Sequence, residues 1–275
     1  MTVDLFTKAD AVAVLRAPSP SDDKYSRGVI GFATGSNDYP GAALLGVEGA
    51  LATGVGMVRY QGPAEVRAAL LARRPEVVFK DGGVNAWVVG SGMAASDPEA
   101  MVRARYALDQ GLPTVVDAGA ISRLPAHPQI IVTPHAGELA AALGISRAEV
   151  EAAPAEHALV GADRLEATVV LKGNTTHIAS QFGEELTCPP ATAWLATAGT
   201  GDVLAGIIGA LLANRMADET APEVSLARIA AAGVVLHSVA AEKASRGGPF
   251  LLAGLVDHIP QAVAELLVLN QGYEP

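Results

Sequence analysis

An aspartate, Asp202, follows directly on the turn Gly199-Thr200-Gly201 and directly precedes an apolar run, residues 203–213. The turn would gather backbone amides at a helix N-terminus. Unpaired N–H groups and the helix dipole favour an anion there, and the glycines let a phosphate approach with no Cβ in the way. A phosphate beside Asp202 would raise its pKa against the opposite pull of the helix end. A carboxylate so held could take the proton of a hydroxyl that attacks the phosphate. Alone the motif is weak, because a tight turn followed by a first-turn helix acid uses the same residues.

Three further stretches carry chemistry-bearing residues. In VVLKGNTTHIA (169–179) a strand ends in Lys172-Gly173, turns through Asn174 and Thr175, and resumes at Thr176. Such a hairpin could cradle a nucleotide, with Lys172 as a point charge for phosphate; it could equally be an ordinary hairpin with a solvated lysine. In VTPHAGELAAALG (132–144), His135 stands at a strand end and Glu138 in the next helical turn. His135 could bind a substrate polar group or phosphate and Glu138 could orient a magnesium-bound water, or the two form an N-terminal capping pair. In GSNDYPGAALL (35–45), Ala42 and Ala43 at a helix start either leave room for a bulky ligand or permit close packing.

The other histidines have weaker claims. His237, on an apolar helix, reads as a satisfied core histidine, and His127, His157, His177 and His258 lack metal-ligand spacing. Zinc-peptidase, triad-hydrolase and Walker-type patterns are missing from the chain.

The elements that must position these residues are legible as a β/α alternation. Residues 28–35, 56–60, 76–79, 86–92, 113–117, 129–133 and 168–173 are short runs, apolar nearly throughout, as strands of a parallel sheet covered on both faces should be. Helices are expected from Pro40, from Asp97-Pro98 to Gly111, and from His135 to Gly144. Further helices are expected over 202–214, about 224–243 and about 252–267. Long linkers, repeats and low-complexity tracts do not occur, so one three-layer α/β domain over 1–275 is expected. In such sheets ligands bind beyond the carboxyl ends of the strands, where the loops TGSNDYPG, GSGM, DAGA, TPHAGE and KGNT fall.

Composition narrows the partners. Half of the 275 residues are hydrophobic and 17% are charged, enough for a sizeable core. The formal charge of −10, with no basic tract, argues against nucleic acid, while leaving a nucleotide open. The single cysteine, Cys188, excludes an intramolecular disulfide. The N-terminus has no signal architecture, and the longest uncharged apolar run is too short for a bilayer, so a cytoplasmic protein without membrane contact is expected.

Taken in order, TPHxGE, KGxxTxIA and ATxGTGDVLAG, with the GSNDYPGAALL and AAAGVVLHSVAAEKA stretches, resemble the ADP-dependent NAD(P)H-hydrate dehydratases of the ribokinase-like superfamily. The resemblance covers nearly the whole chain and implies a three-layer α/β/α fold with a mostly parallel sheet. It implies that hydrated NADH or NADPH, as its S epimer, binds with its extra hydroxyl near Asp202, contacting Ala42, Gly92 and His135. ADP would lie against Lys172, Gly173, Asn174, Thr175 and Thr176 and the Gly199-Thr200-Gly201 turn. Phosphoryl transfer to the hydroxyl and loss of phosphate would restore the cofactor, with Mg²⁺ as companion ion and no assigned metal ligand. A homotetramer and a separate epimerase are implied as well. GSGM (90–93) departs from the usual GPGxG, Ser91 being expected to loosen that loop. DAGAI has Gly119 for a second acid beside Asp117, and LHSVAA replaces LHGxAG. The alternative within the superfamily is a kinase for a hydroxymethylpyrimidine or a hydroxyethylthiazole.

Overall fold

The protein is described by a computed structural model covering residues 4–123, 129–218, 220 and 222–270; His127 lies outside the described residues. In chain order the first half contains β1 (Asp4–Leu5), α1 (Lys8–Val12), β2 (Val29–Ala33), α2 (Pro40–Thr53), β3 (Met57–Tyr60), α3 (Ala64–Arg73), β4 (Ala86–Val89), α4 (Pro98–Leu108), β5 (Thr114–Val116) and a 3-10 turn (Ala118–Arg123). Then come β6 (Ile130–Val132), α5 (Ala136–Leu143), α6 (Arg147–Ala152), α7 (Pro154–Leu165), β7 (Thr168–Leu171), β8 (Thr176–Ala179), β9 (Glu185–Cys188), a 3-10 turn (Ala193–Leu195), α8 (Thr200–Met216), α9 (Leu226–Ser245) and α10 (Leu252–Asn270).

The strands join one sheet in the order β1-β9-β8-β7-β6-β5-β4-β2-β3, and only β8 runs against the others. Alternation of side chains explains the unbroken apolar runs. Ile30, Phe32, Val88, Val115, Ile131 and Val170 point into the core shared with α2, α8, α9 and α10. Their neighbours Ala33, Val89, Val116, Val132 and Val169 point into the core shared with α4, α5 and α7. The expected three layers with a mostly parallel sheet are therefore observed.

Most boundaries agree with the sequence reading, with named exceptions. Residues 76–79 do not form a strand. Val78 makes a single bridge to Arg59 at the sheet's outer edge, and only Val77 of the four is buried, so there is neither a ladder nor a covered face to extend it. Helix α8 starts at Thr200, two residues earlier than expected, which puts Asp202 in its third position. Helix α10 is long and apolar enough by composition to cross a membrane. Here it packs along α9 and α2, with Leu255, Ile259 and Leu266 buried and Glu265 paired to Lys8 and Lys243.

The α2–α8 contact aligns the site. A Cβ on Gly206 would lie 2.0 Å from the Gly46 carbonyl oxygen, and one on Gly49 would lie 2.7 Å from that of Val203. Only glycine allows backbones this close, and the crossing sets the start of α2 beside the start of α8.

Candidate active site

The carboxyl ends of β2, β4, β5, β6 and β7 and the first turns of α2, α5 and α8 converge on one edge of the sheet. Gly199, the N-cap of α8, has φ +95°, a conformation in which L side chains are strained. A Cβ there would also lie 2.4 Å from Leu252 Cδ1 and 2.7 Å from Leu45 Cδ1. No side chain caps the helix; the Thr200 amide turns back to the Thr197 carbonyl at 3.4 Å, and the Gly201 and Asp202 amides have no side-chain acceptor among the described residues. Thr200 is buried; its hydroxyl is held by the Leu195 and Thr197 carbonyls, each at 2.9 Å, and therefore fixes the turn from within.

A cavity of about 580 Å³ opens against this turn. His135, Lys172, Gly173, Asn174, Thr176, Thr200 and Gly201 all line it, with an apolar wall from Ala193 and Leu195. Thr175, Gly199, Asp202, Ala42 and Gly92 are not among its lining residues. Gly92, φ +65°, is packed on the start of α2: a Cβ would sit 2.6 Å from the Ala42 Cβ. Ala42 and Gly92 thus form a tight seam, and close packing is a structural use of their small size.

Asp202, in the first turn of α8, is half-buried. Burial pushes its carboxyl up, Asp117 pushes it further and Lys172 pulls it down, leaving a pKa of about 6. The elevation expected from a phosphate is thus already present in the protein alone. Such a group is mostly ionised at neutral pH yet basic enough to accept a proton, the balance a general base needs.

Lys172 is not a solvated hairpin lysine. Its ammonium lies 2.9 Å from Asp117 Oδ1, and its side chain is 21% exposed. It also overhangs the turn, since a Cβ on Gly201 would lie 3.3 Å from Lys172 Nζ. Asp117, to which sequence reasoning gives no role, accepts in addition from Thr133 Oγ1 at 2.7 Å and from Ser91 Oγ at 3.0 Å. Burial raises its carboxyl, but Lys172 and the hydroxyl hydrogen bonds outweigh that and hold it below the ordinary carboxylate value. Ser91 therefore tethers its loop instead of loosening it, and the Ser91 carbonyl also accepts from Gly35 N at 2.7 Å. Gly119 leaves no room for an acid, because a Cβ there would lie 2.1 Å from the Met93 carbonyl oxygen.

His135 and Glu138 form the capping pair. His135 Nδ1 accepts from Gly137 N at 3.0 Å and Glu138 N at 3.2 Å, and Glu138 Oε2 accepts from His135 N at 2.9 Å. With Nδ1 an acceptor, Nε2 carries the proton, and the exposed ring still borders the cavity. His237 is buried, as a core histidine should be, and also borders the cavity. Burial lowers its pKa to about 4 so that it is neutral, and a hydrogen bond to the Thr200 backbone opposes that shift. Cys188 is buried, and burial pushes its thiol up to about 12, leaving it unreactive.

Among the described residues no cluster of three or more His, Cys, Asp or Glu could hold a metal. With Glu138 engaged in a cap and Asp117 in an ion pair, the residues present do not form a magnesium cage.

Residues 29–260 match the carbohydrate-kinase-type family described as NAD(P)H-hydrate dehydratase. The chain belongs to this family. The bifunctional NAD(P)H-hydrate repair enzyme Nnr of Mycobacterium tuberculosis is 43% identical over 227 residues, which span 76% of this chain and 46% of that protein. The chain thus spans about half the length of the first curated relatives it matches. The ADP-dependent (S)-NAD(P)H-hydrate dehydratase of Xanthomonas campestris is 33% identical over 286 residues, 90% of this chain and 96% of that one. Among solved structures, an ADP/ATP-dependent NAD(P)H-hydrate dehydratase from Bacillus subtilis, co-crystallised with ATP and Mg²⁺, superposes with a TM-score of 0.85 at 27% identity. The match covers 97% of this chain and 99% of that one. With the family comes the ribokinase-like fold.

Proposed function

We propose that the protein is an ADP-dependent dehydratase of (S)-NAD(P)H-hydrate, restoring NADH or NADPH with release of AMP and phosphate. The observation that carries this reading is Asp202. Burial and Asp117 bring its carboxylate to a pKa of about 6, in the first turn of a helix whose uncapped glycine start faces a nucleotide-sized cavity. Hydroxide is a poor leaving group and phosphate a good one, so a hydrate is dehydrated most readily after phosphorylation.

The hydrate oxygen attacks the terminal phosphorus of ADP. Its proton passes to Asp202, and the bond to the AMP oxygen breaks with its electron pair leaving on AMP. The ring nitrogen then expels phosphate with the C–O bonding pair. Loss of a proton from the adjacent ring carbon to water restores the double bond. The amides of the glycine turn and the Lys172 ammonium hold the transferring phosphoryl group, since both face the same cavity wall. Magnesium, when bound with the nucleotide, supplies charge neutralisation on its phosphates, and the protein residues contribute no cage of their own.

The proposal extends to a cytoplasmic homotetramer acting with an epimerase activity that supplies the S epimer. Its support is the family resemblance and, for the epimerase, the bifunctional character of the longer relatives.

The test is direct. Incubation with hydrated NADH and ADP should regenerate the reduced-nicotinamide absorbance with equimolar AMP and phosphate. Failure to do so, with phosphate left stably on a hydroxymethylpyrimidine or hydroxyethylthiazole alcohol, would reassign the protein as a kinase.

A further inference from the structure

Asp117 exchanges no proton and touches no phosphate in the proposed reaction, yet four strand ends are tied to it. It follows β5 itself, Ser91 reaches it from the loop after β4, Thr133 from the end of β6 and Lys172 from the end of β7. It is 3% exposed. A buried carboxylate is an expensive way to join strands, since removing a charge from water is repaid only by close pairing and complete hydrogen bonding. Here both conditions are met, and the partner is the cation that overhangs the glycine turn.

We propose that Asp117 is a positioning residue for the phosphoryl transfer: fixed by Ser91 and Thr133, it parks the Lys172 ammonium over the Gly201 turn and keeps that cation from pairing with Asp202. This rests on the dehydratase function proposed for the site. The geometry gives Asp117 two levers on Asp202, its own negative charge and its hold on Lys172. Each charged or titratable neighbour of Asp202 can be named by element. β5 contributes Asp117 and β7 contributes Lys172, the two groups that act on its carboxyl. α9 contributes His237, neutral through burial. α2 packs glycine against it at Gly46, while its one acid, Glu48, is paired to Arg73 and Arg74. Neutralising Asp117 therefore removes a charge that raises Asp202 and frees a cation that lowers it, so both changes act in one direction.

The test is a double-mutant cycle of Asp117→Asn and Lys172→Met in the full chain, with pH profiles of kcat/KM. Asp117→Asn should lower kcat by about 10²-fold, leave ADP affinity within about threefold, and move the acid limb of the profile down by about one pH unit. A residue that merely joins strands would lower the melting temperature without moving that limb. The double variant removes the buried pair without leaving an unpaired charge, so it keeps the fold, and its kcat should be no lower than that of the worse single variant. Additive losses in the cycle, or an unmoved acid limb, would overturn the proposal. Carboxyl ¹³C titration of Asp202 in wild type and Asp117→Asn reads the same coupling without any substrate. A downward shift there supports the positioning role even if the assay with hydrated NADH shows no turnover, and equal titration curves refute it.

Discussion

Two helices begin at the same edge of the sheet, each with an acid at its third position, and they treat that acid in opposite ways. At α5 the helix end is closed by its own residues: His135 accepts two of the free amides and Glu138 returns a bond to the His135 amide. At α8 the cap is a glycine with no side chain, no side chain takes the amides of Gly201 and Asp202, and burial and Asp117 raise Asp202 to a pKa of about 6. A satisfied helix end stabilises the fold. An unsatisfied one costs stability and leaves a binding site for an anion. The same sequence logic, an acid just past a turn, thus serves structure in one place and chemistry in the other. The partners from distant strands decide which.

The sharpest way to break this contrast is Asp202→Asn. The base reading expects kcat to fall by about 10³-fold with ADP affinity largely unchanged, as measured by steady-state kinetics and calorimetry. In the wild type, activity should rise with pH through about 6 as Asp202 loses its proton. Stability should move the other way. Because the folded pKa is raised above the ordinary 3.8, wild-type stability is whole below that value and declines as pH rises towards about 6. Asp202→Asn removes the decline. It should therefore be more stable than wild type by about 2 kcal/mol at neutral pH and equal to it near pH 3.5. Wild-type turnover in the variant would strip Asp202 of its role. Unchanged stability across the range would show that its burial is not strained.

The two glycines before Asp202 should separate fold from binding. Gly199→Ala meets both a positive φ and two leucine side chains, so a loss of about 2 kcal/mol in denaturant titration is expected. Gly201→Ala has ordinary φ and only the flexible end of Lys172 nearby. It should leave stability near wild type and weaken ADP binding by about tenfold, because the new methyl group displaces the ammonium from the turn. If both substitutions acted on stability alone, the turn would be a structural corner and no more.

How far the sequence reveals this depends on the range of the interaction. Local signals transfer well: Asp97-Pro98 opens α4 with Asp97 accepting from Glu99 and Ala100, and the unbroken apolar runs become two-faced strands. α3 carries only Val66 and Leu70 on its buried face, and β9 alternates over four residues, so neither shows a period long enough to stand out. The site divides in the same way. The glycine turn and the Lys172 hairpin are contiguous in the chain and legible. The Asp117–Lys172 pair spans 55 residues and joins two strand ends that only the sheet order brings together, so no spacing rule could find it. His237 illustrates a related limit: an apolar helix shows that the ring is buried, and says nothing about which cavity it borders.

The smallest expected effect tests the other half of the contrast. If Glu138 serves only its helix end, Glu138→Gln keeps an oxygen able to accept from the His135 amide and should be nearly neutral in both stability and turnover. Glu138→Ala removes the returned bond and should cost about 1 kcal/mol by thermal or denaturant unfolding, still with turnover within about threefold. The charge is what separates the cap from a chemical role. A carboxylate would orient a water on magnesium far better than an amide would. If Glu138→Gln slowed turnover by about 10²-fold or more with stability intact, both helix ends would serve the reaction. The difference between α5 and α8 would then lie in how tightly each acid is held before the nucleotide arrives.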